Sequence, residues 1–181
     1  SAASLYLAAT GVGTLALVDF DKVDLSNLQR QVLYGSADIG RSKALRGQAR
    51  LQELNPDISI VAHDCEVTAG NVMDLIRPYH LVVDGTDRLS TRYQVNDACV
   101  LQRKMLVSAA IHRFEGQTFS YVPESGPCYR CIFPSAGEGV TPNCAAAGVL
   151  GVDSDRLDDF SETDRLGLER IVHLLKGHLT A

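Results

Sequence analysis

Four short apolar runs alternate with stretches of helical spacing, and this alternation narrows the possible folds more than any other feature. The runs are TLALVD (14–19), ISIVAHDCEV (58–67), HLVVDGT (80–86) and MLVSAAI (105–111). Each is bounded by turn residues or helical spacing and reads as a strand, the first as a fully buried one. Between them, residues 1–10 read as a helix that Gly11 can end in the left-handed conformation. Ser42 can cap a helix running to about Leu54, which Asn55-Pro56 then stops. NVMDLIRPY (71–79) is a short helix, and residues 89–103 place Leu89, Val95, Ala98 and Cys99 on or near one helical face. GQTFSYV (116–122) adds a fifth strand, of hairpin or edge character. Strands alternating with helices imply an α/β fold: a Rossmann-like, doubly wound, mostly parallel sheet.

The 181 residues suffice for one such domain with a real core. Residues 22–41 are polar and irregular, as an active-site loop is. Residues 123–152, rich in Gly, Pro and Cys, are expected to be irregular too. Residues 153–165 are strongly acidic, and the last stretch is an amphipathic helix with Leu168, Ile171, Val172 and Leu175 on one side. The expected division is therefore 1–152 and 153–181. A net charge of −5 argues against non-specific nucleic-acid or anionic-membrane binding. Residues 1–18 carry no charge, but Gly11 and Gly13 interrupt them and no basic segment precedes them, so a membrane span or signal peptide is not expected. Five cysteines, two of them in Cys-x-x-Cys, suit a reducing, cytoplasmic setting and a metal site better than a disulfide framework.

The polar residues are placed where such a fold puts its ligands. Asp19 ends the first strand, Asp21 follows, and Asn27, Arg30 and Gln31 come close behind. A carboxylate at a strand's C-terminal edge with a cation nearby suits a sugar-phosphate. Lys43 opens the next helix, Asp87 closes the turn VDGTD, and Cys128 and Cys131 form the Cys-x-x-Cys pair. In this order, from Ser1 to about Val152, the set resembles the ATP-dependent adenylyltransferases that activate ubiquitin-like sulfur-carrier proteins, among them those of molybdopterin and thiamine biosynthesis.

The resemblance implies a role for each residue. Asp19 accepts hydrogen bonds from the ribose hydroxyls of ATP. Arg30 and Lys43 neutralise phosphate, assisted by Asn27 and Gln31. Asp87 holds Mg²⁺, so that Arg30 and Asp87 serve catalysis; Arg88 stands where the family has an asparagine. Asp21 either joins the site or shapes the turn, and Asp84 is a turn aspartate bonding to backbone. Cys128 and Cys131 supply half of a tetrahedral Zn²⁺ site. The family's second Cys-x-x-Cys does not occur in these 181 residues, and His173 and His178 are five apart on a helix, too divergent to complete the site together. Cys144 is a candidate for sulfur transfer, although the acidic residue expected two positions on is Ala146. Cys65 and Cys99 fall in strand and helix patterns and are expected to be buried. The implied partners are a ubiquitin-like sulfur carrier and a second copy of the chain. In the family a strand and a G-x-G-x-x-G loop precede the first helix, whereas this sequence opens at Ser1-Ala2-Ala3. The sheet is therefore expected to be incomplete at its N-terminus, whether the sequence is a fragment or a truncation. The alternative reading is a non-catalytic remnant that keeps a carrier-binding or dimerisation surface.

Overall fold

The computed structural model describes residues 1–112 and 115–134. Cys144, the acidic segment, the amphipathic helix with His173 and His178, and the boundary expected at residue 152 lie outside the described residues. The chain divides into two compact units, the first covering Ser1–Cys65 and the second beginning at Glu66.

In the first unit, helix α1 (Ala2–Ala9) ends as expected. Gly11 has φ +80°, and its N–H donates to the Ala8 carbonyl (3.1 Å) while that of Val12 donates to Leu7 (3.5 Å). This pair of bonds satisfies two carbonyls that the helix end would otherwise leave orphaned. Strands β1 (Thr14–Val18) and β2 (Ser59–His63) pair in parallel, from Thr14 opposite Ser59 to Val18 opposite His63. Helix α2 (Lys43–Leu54) connects them, with the Ser42 hydroxyl accepting from the Leu45 N–H at 3.4 Å. At its far end the Asn55 side-chain amide donates to Ala8 (2.8 Å), tying the end of α2 to that of α1. Ala8, Leu33, Leu51, Ile58 and Ile60 form the core, with Leu15 and Leu17 of β1 packed against it. Gly47 governs how closely α2 packs: a Cβ there would lie 2.8 Å from Leu17 Cδ1 and 3.2 Å from Leu33 Cδ2.

β1 is not fully buried, contrary to the reading of TLALVD. Leu15, Ala16 and Leu17 are half-buried, and Thr14 and Val18 are exposed. Among the described residues its one pairing partner is β2, so it lacks the flanking strand that a wholly buried position needs. β2 also stops short of the expected Val67, and Cys65 is half-buried in coil. After His63 the Asp19 N–H takes that residue's carbonyl (3.2 Å), and β1 offers no further ladder. The loop of residues 22–41 is irregular as expected, held by two short 3-10 turns, Leu25–Asn27 and Ser36–Asp38.

In the second unit, β3 (Leu81–Asp84) and β4 (Met105–His112) are parallel, with Asp84 opposite Ser108. β5 (Glu115–Tyr121) returns antiparallel to β4, as the hairpin reading of that segment required. Helices α3 (Val72–Ile76) and α4 (Leu89–Leu101) cover the sheet, and Val95, Ala98 and Cys99 join Val72, Ile76, Leu106 and Tyr121 in the core. A four-residue helix, α5 (Tyr129–Ile132), lies in the stretch expected to be irregular; it is too short to show a helical period in sequence.

Candidate functional site

In the first unit the site is built where β1 ends. Asp19 is the first residue beyond the strand, and one of its carboxylate oxygens accepts the Asp21 N–H at 2.9 Å. This Asx turn fixes the side chain and leaves the second oxygen for other donors. Burial raises the Asp19 pKa above the ordinary carboxylate value; the bond from Asp21 and the positive charge of Lys43 oppose that rise without cancelling it. Lys43 opens α2 and is 6% exposed. Its Nζ donates to Asp21 Oδ2 at 3.0 Å, its N–H donates to the Asp21 carbonyl at 2.9 Å, and its own carbonyl accepts from the Tyr34 hydroxyl at 3.1 Å. Burial pushes the Tyr34 pKa up to about 12, so the phenol stays protonated. The first turn of α1 adjoins the same cluster. The Ser1 hydroxyl accepts the Leu33 N–H (2.9 Å).

Asp19, Asp21 and Lys43 thus stand together beside a helix start. Asn27, Arg30 and Gln31 belong to the adjoining loop. The Asn27 amide donates to the Ser26 hydroxyl (2.9 Å), and exposed Arg30 donates to the Ser26 carbonyl (3.2 Å) rather than to the Asp19–Lys43 cluster. Gln31 Oε1 is buried without a hydrogen-bond partner among the described residues. A buried acceptor left unmatched is costly, and its presence in a polar loop fits a site that an incoming donor completes.

In the second unit Asp84 is structural, as its turn position suggested. One carboxylate oxygen accepts from the Thr86 N–H (2.9 Å) and hydroxyl (2.7 Å), and the other from Ser108 (3.0 Å). This leaves Asp87, at the end of the same turn, as the exposed carboxylate. Arg88 pairs with Glu66, so its charge is not given over to Asp87 alone. No group of three or more potential metal ligands occurs among the described residues. Magnesium does not demand one, because it commonly takes one or two carboxylates with substrate oxygens and water.

The Cys-x-x-Cys pair is gathered into a knuckle. Cys128 Sγ lies 3.6 Å from Cys131 Sγ, and both are free thiols. Two sulfurs bound tetrahedrally to one zinc at about 2.3 Å stand about 3.8 Å apart, so the pair fits as two of four ligands. Burial alone would raise the Cys128 pKa. Hydrogen bonds from the Cys131 N–H and thiol, the Asn96 side chain and the Arg130 N–H outweigh it, and the pKa falls below the ordinary thiol value. The knuckle is fastened to α4. Asn96, 1% exposed, accepts the Tyr129 N–H at 2.8 Å, and Arg130 makes a two-pronged pair with Asp97 (2.6 and 2.7 Å) while lying over the Tyr93 ring. Sequence reasoning missed Asn96. The signal was present: an asparagine beside Val95 and three residues before Cys99 lies close to the apolar face. Cys99 is fully buried, as expected, with its pKa raised to about 12 by burial.

Parallel strands joined through helices, with carboxylates delivered at or just beyond the ends of β1 and β3, define a Rossmann-like α/β protein. The chain belongs to the ThiF family, which it matches over residues 1–154. It is 49% identical over 153 residues to the sulfur carrier protein adenylyltransferase of Thermus thermophilus, covering 81% of this chain and 56% of that protein. It is 51% identical over 149 residues to the adenylyltransferase and sulfurtransferase MOCS3 of Sus scrofa, covering 81% of this chain and 32% of that protein. Among solved structures, MccB from E. coli with ATP superposes with a TM-score of 0.63 at 26% identity, over 71% of this chain and 38% of MccB. The chain therefore spans between about a third and just over half the length of these proteins. No helix among the described residues is long and apolar enough to cross a membrane.

Proposed function

We propose that this chain carries adenylation chemistry: the C-terminal carboxylate of a ubiquitin-like sulfur-carrier protein attacks the α-phosphorus of ATP, a carboxyl–phosphate bond forms, and pyrophosphate leaves. The observation that carries this reading is the buried Lys43 ammonium held beside Asp19 and Asp21 at the end of β1, next to the start of α1. Membership of the ThiF family and near-50% identity to a sulfur carrier protein adenylyltransferase support it.

The reaction needs no protein nucleophile; positioning and charge neutralisation carry it. Asp19 has a free carboxylate oxygen for the ribose hydroxyls. Lys43 offers a point charge to phosphate, and Arg30 can swing from the Ser26 carbonyl to chelate two phosphate oxygens. The orphan Gln31 Oε1 would take a donor from the nucleotide, with Asn27 alongside. Asp87 would hold Mg²⁺, which supplies positive charge to the phosphates. Cys128 and Cys131 would hold a structural Zn²⁺ together with two further ligands. Cys144 is assigned to sulfur transfer, the carrier to the molybdenum cofactor or thiamine pathway, and the active form to a cytoplasmic homodimer. These assignments rest on family resemblance.

The test is carrier-dependent exchange of labelled pyrophosphate into ATP by the full-length protein. Exchange is expected to need both carrier and Mg²⁺ and to be lost in Asp87→Ala. A well-folded protein that binds carrier but gives no exchange would favour the non-catalytic remnant instead.

A further inference from the structure

Asp21 occupies a position in this cluster that neither its exposure nor its place in the loop suggested. Its side chain is 52% exposed, yet it is the carboxylate that holds the almost fully buried Lys43 ammonium, at 3.0 Å. Its backbone N–H fixes the neighbouring carboxylate of Asp19, and its carbonyl accepts the N–H of Lys43. One residue thus bonds to both the sugar-facing acid and the phosphate-facing base. Asp19 is the competing partner. Its carboxylate is bonded to the N–H of the same residue that holds the lysine (2.9 Å), and it is the more buried of the two acids, where an ion pair is less screened by water. Were the Asp21 carboxylate absent, the long flexible lysine stem would bring its ammonium to Asp19, and that pairing would block the oxygen left for ribose while drawing positive charge away from the phosphates.

We infer that Asp21 is a positioning residue that keeps Lys43 off Asp19, so that the lysine and the sugar-binding carboxylate are both available when a nucleotide enters. The inference rests on the nucleotide reading above and deepens it. The lysine is held by a solvent-facing acid, which can be rehydrated at little cost when phosphate takes the ammonium over, so the pair acts as a preset holder rather than a permanent bond.

The experiment measures ATP affinity of the full-length protein by calorimetry for the parent, Asp21→Asn, Asp21→Glu, Lys43→Met and the Asp21→Asn/Lys43→Met double variant. Alongside it, NMR observes the Lys43 ammonium in the nucleotide-free protein. Asp21→Asn is expected to weaken ATP binding about tenfold, the order of one charge-assisted contact, and Asp21→Glu is expected to restore most of the loss. In the Lys43→Met background the same Asp21→Asn change should alter affinity less than twofold, because its route to the ligand is gone; a turn-shaping role would cost the same in both backgrounds. The Lys43 ammonium resonance should report contact with Asp21 in the parent and with Asp19 in Asp21→Asn. Unchanged ATP affinity in Asp21→Asn, with the parent binding normally, overturns the inference and leaves the nucleotide reading standing. A folded parent that fails to bind ATP overturns both.

Discussion

Replacing Lys43 by methionine should leave a folded protein that no longer catalyses exchange. Methionine keeps an unbranched stem of similar length in the buried site, so little packing is lost. The backbone bonds of residue 43, to the Asp21 carbonyl and from the Tyr34 hydroxyl, do not involve the side chain and persist. What disappears is the ion pair with Asp21. Breaking a fully buried pair costs about 3–5 kcal/mol because the surviving charge is stranded. Here the survivor is 52% exposed and regains water, so the cost falls near the surface-pair range of about 0–1 kcal/mol. The loss in catalysis is larger: removing one preorganised positive contact to the reacting phosphates costs about 3–4 kcal/mol in the transition state, or roughly 10²–10³ in rate. Thermal unfolding followed by circular dichroism measures the first quantity, and carrier-dependent pyrophosphate exchange the second. Exchange within threefold of the parent in a folded variant would refute the role given to Lys43. Destabilisation above about 3 kcal/mol would refute the argument that water rescues Asp21.

Three other outcomes are expected. Asn96→Ala leaves the buried Tyr129 N–H without its acceptor and should cost about 1–3 kcal/mol; denaturant melts report the loss, and faster hydrogen exchange at the Tyr129 amide locates it. Gly47→Val drives carbon atoms into Leu17 and Leu33 and should destabilise by about 1–3 kcal/mol; an unchanged melting temperature would mean that α2 does not pack on β1 as closely as described. Asp19 binds its proton more tightly in the folded chain than in the unfolded one, chiefly because it is buried. Its contribution to stability therefore falls as pH rises from the ordinary aspartate value through the raised one. Its capacity to accept ribose hydroxyls moves the other way. ATP affinity should drop as pH is lowered through that same window, and Asp19→Asn, which never ionises, should flatten the profile in a calorimetric pH series.

The first two helices were legible because each carried a local cause. The capping hydroxyl of Ser42, the stop at Asn55-Pro56 and the left-handed Gly11 act on neighbouring residues, so α1 and α2 could be bounded from composition and order alone. The apolar runs likewise marked the first four strands, and the position of Asp19 just beyond the first of them followed from where the run stopped. Burial was harder to read. How much of a strand is covered depends on which strand lies beside it, and that neighbour is chosen by distant parts of the chain; hence β1 is half-exposed despite its apolar composition.

Amino-acid order alone therefore determined the α/β alternation, the helix caps and which polar residues stand at strand ends, since these depend on contacts within a few residues. Tertiary structure alone decided the pairings across long separations: Lys43 with Asp21 rather than Asp19, Asn96 with the Tyr129 backbone, and the tight seating of Gly47 against Leu17. The reason is physical. A hydrogen bond or a van der Waals contact is decided over tenths of an ångström, and only packing of the whole unit sets distances between residues 22, 33 or 30 positions apart.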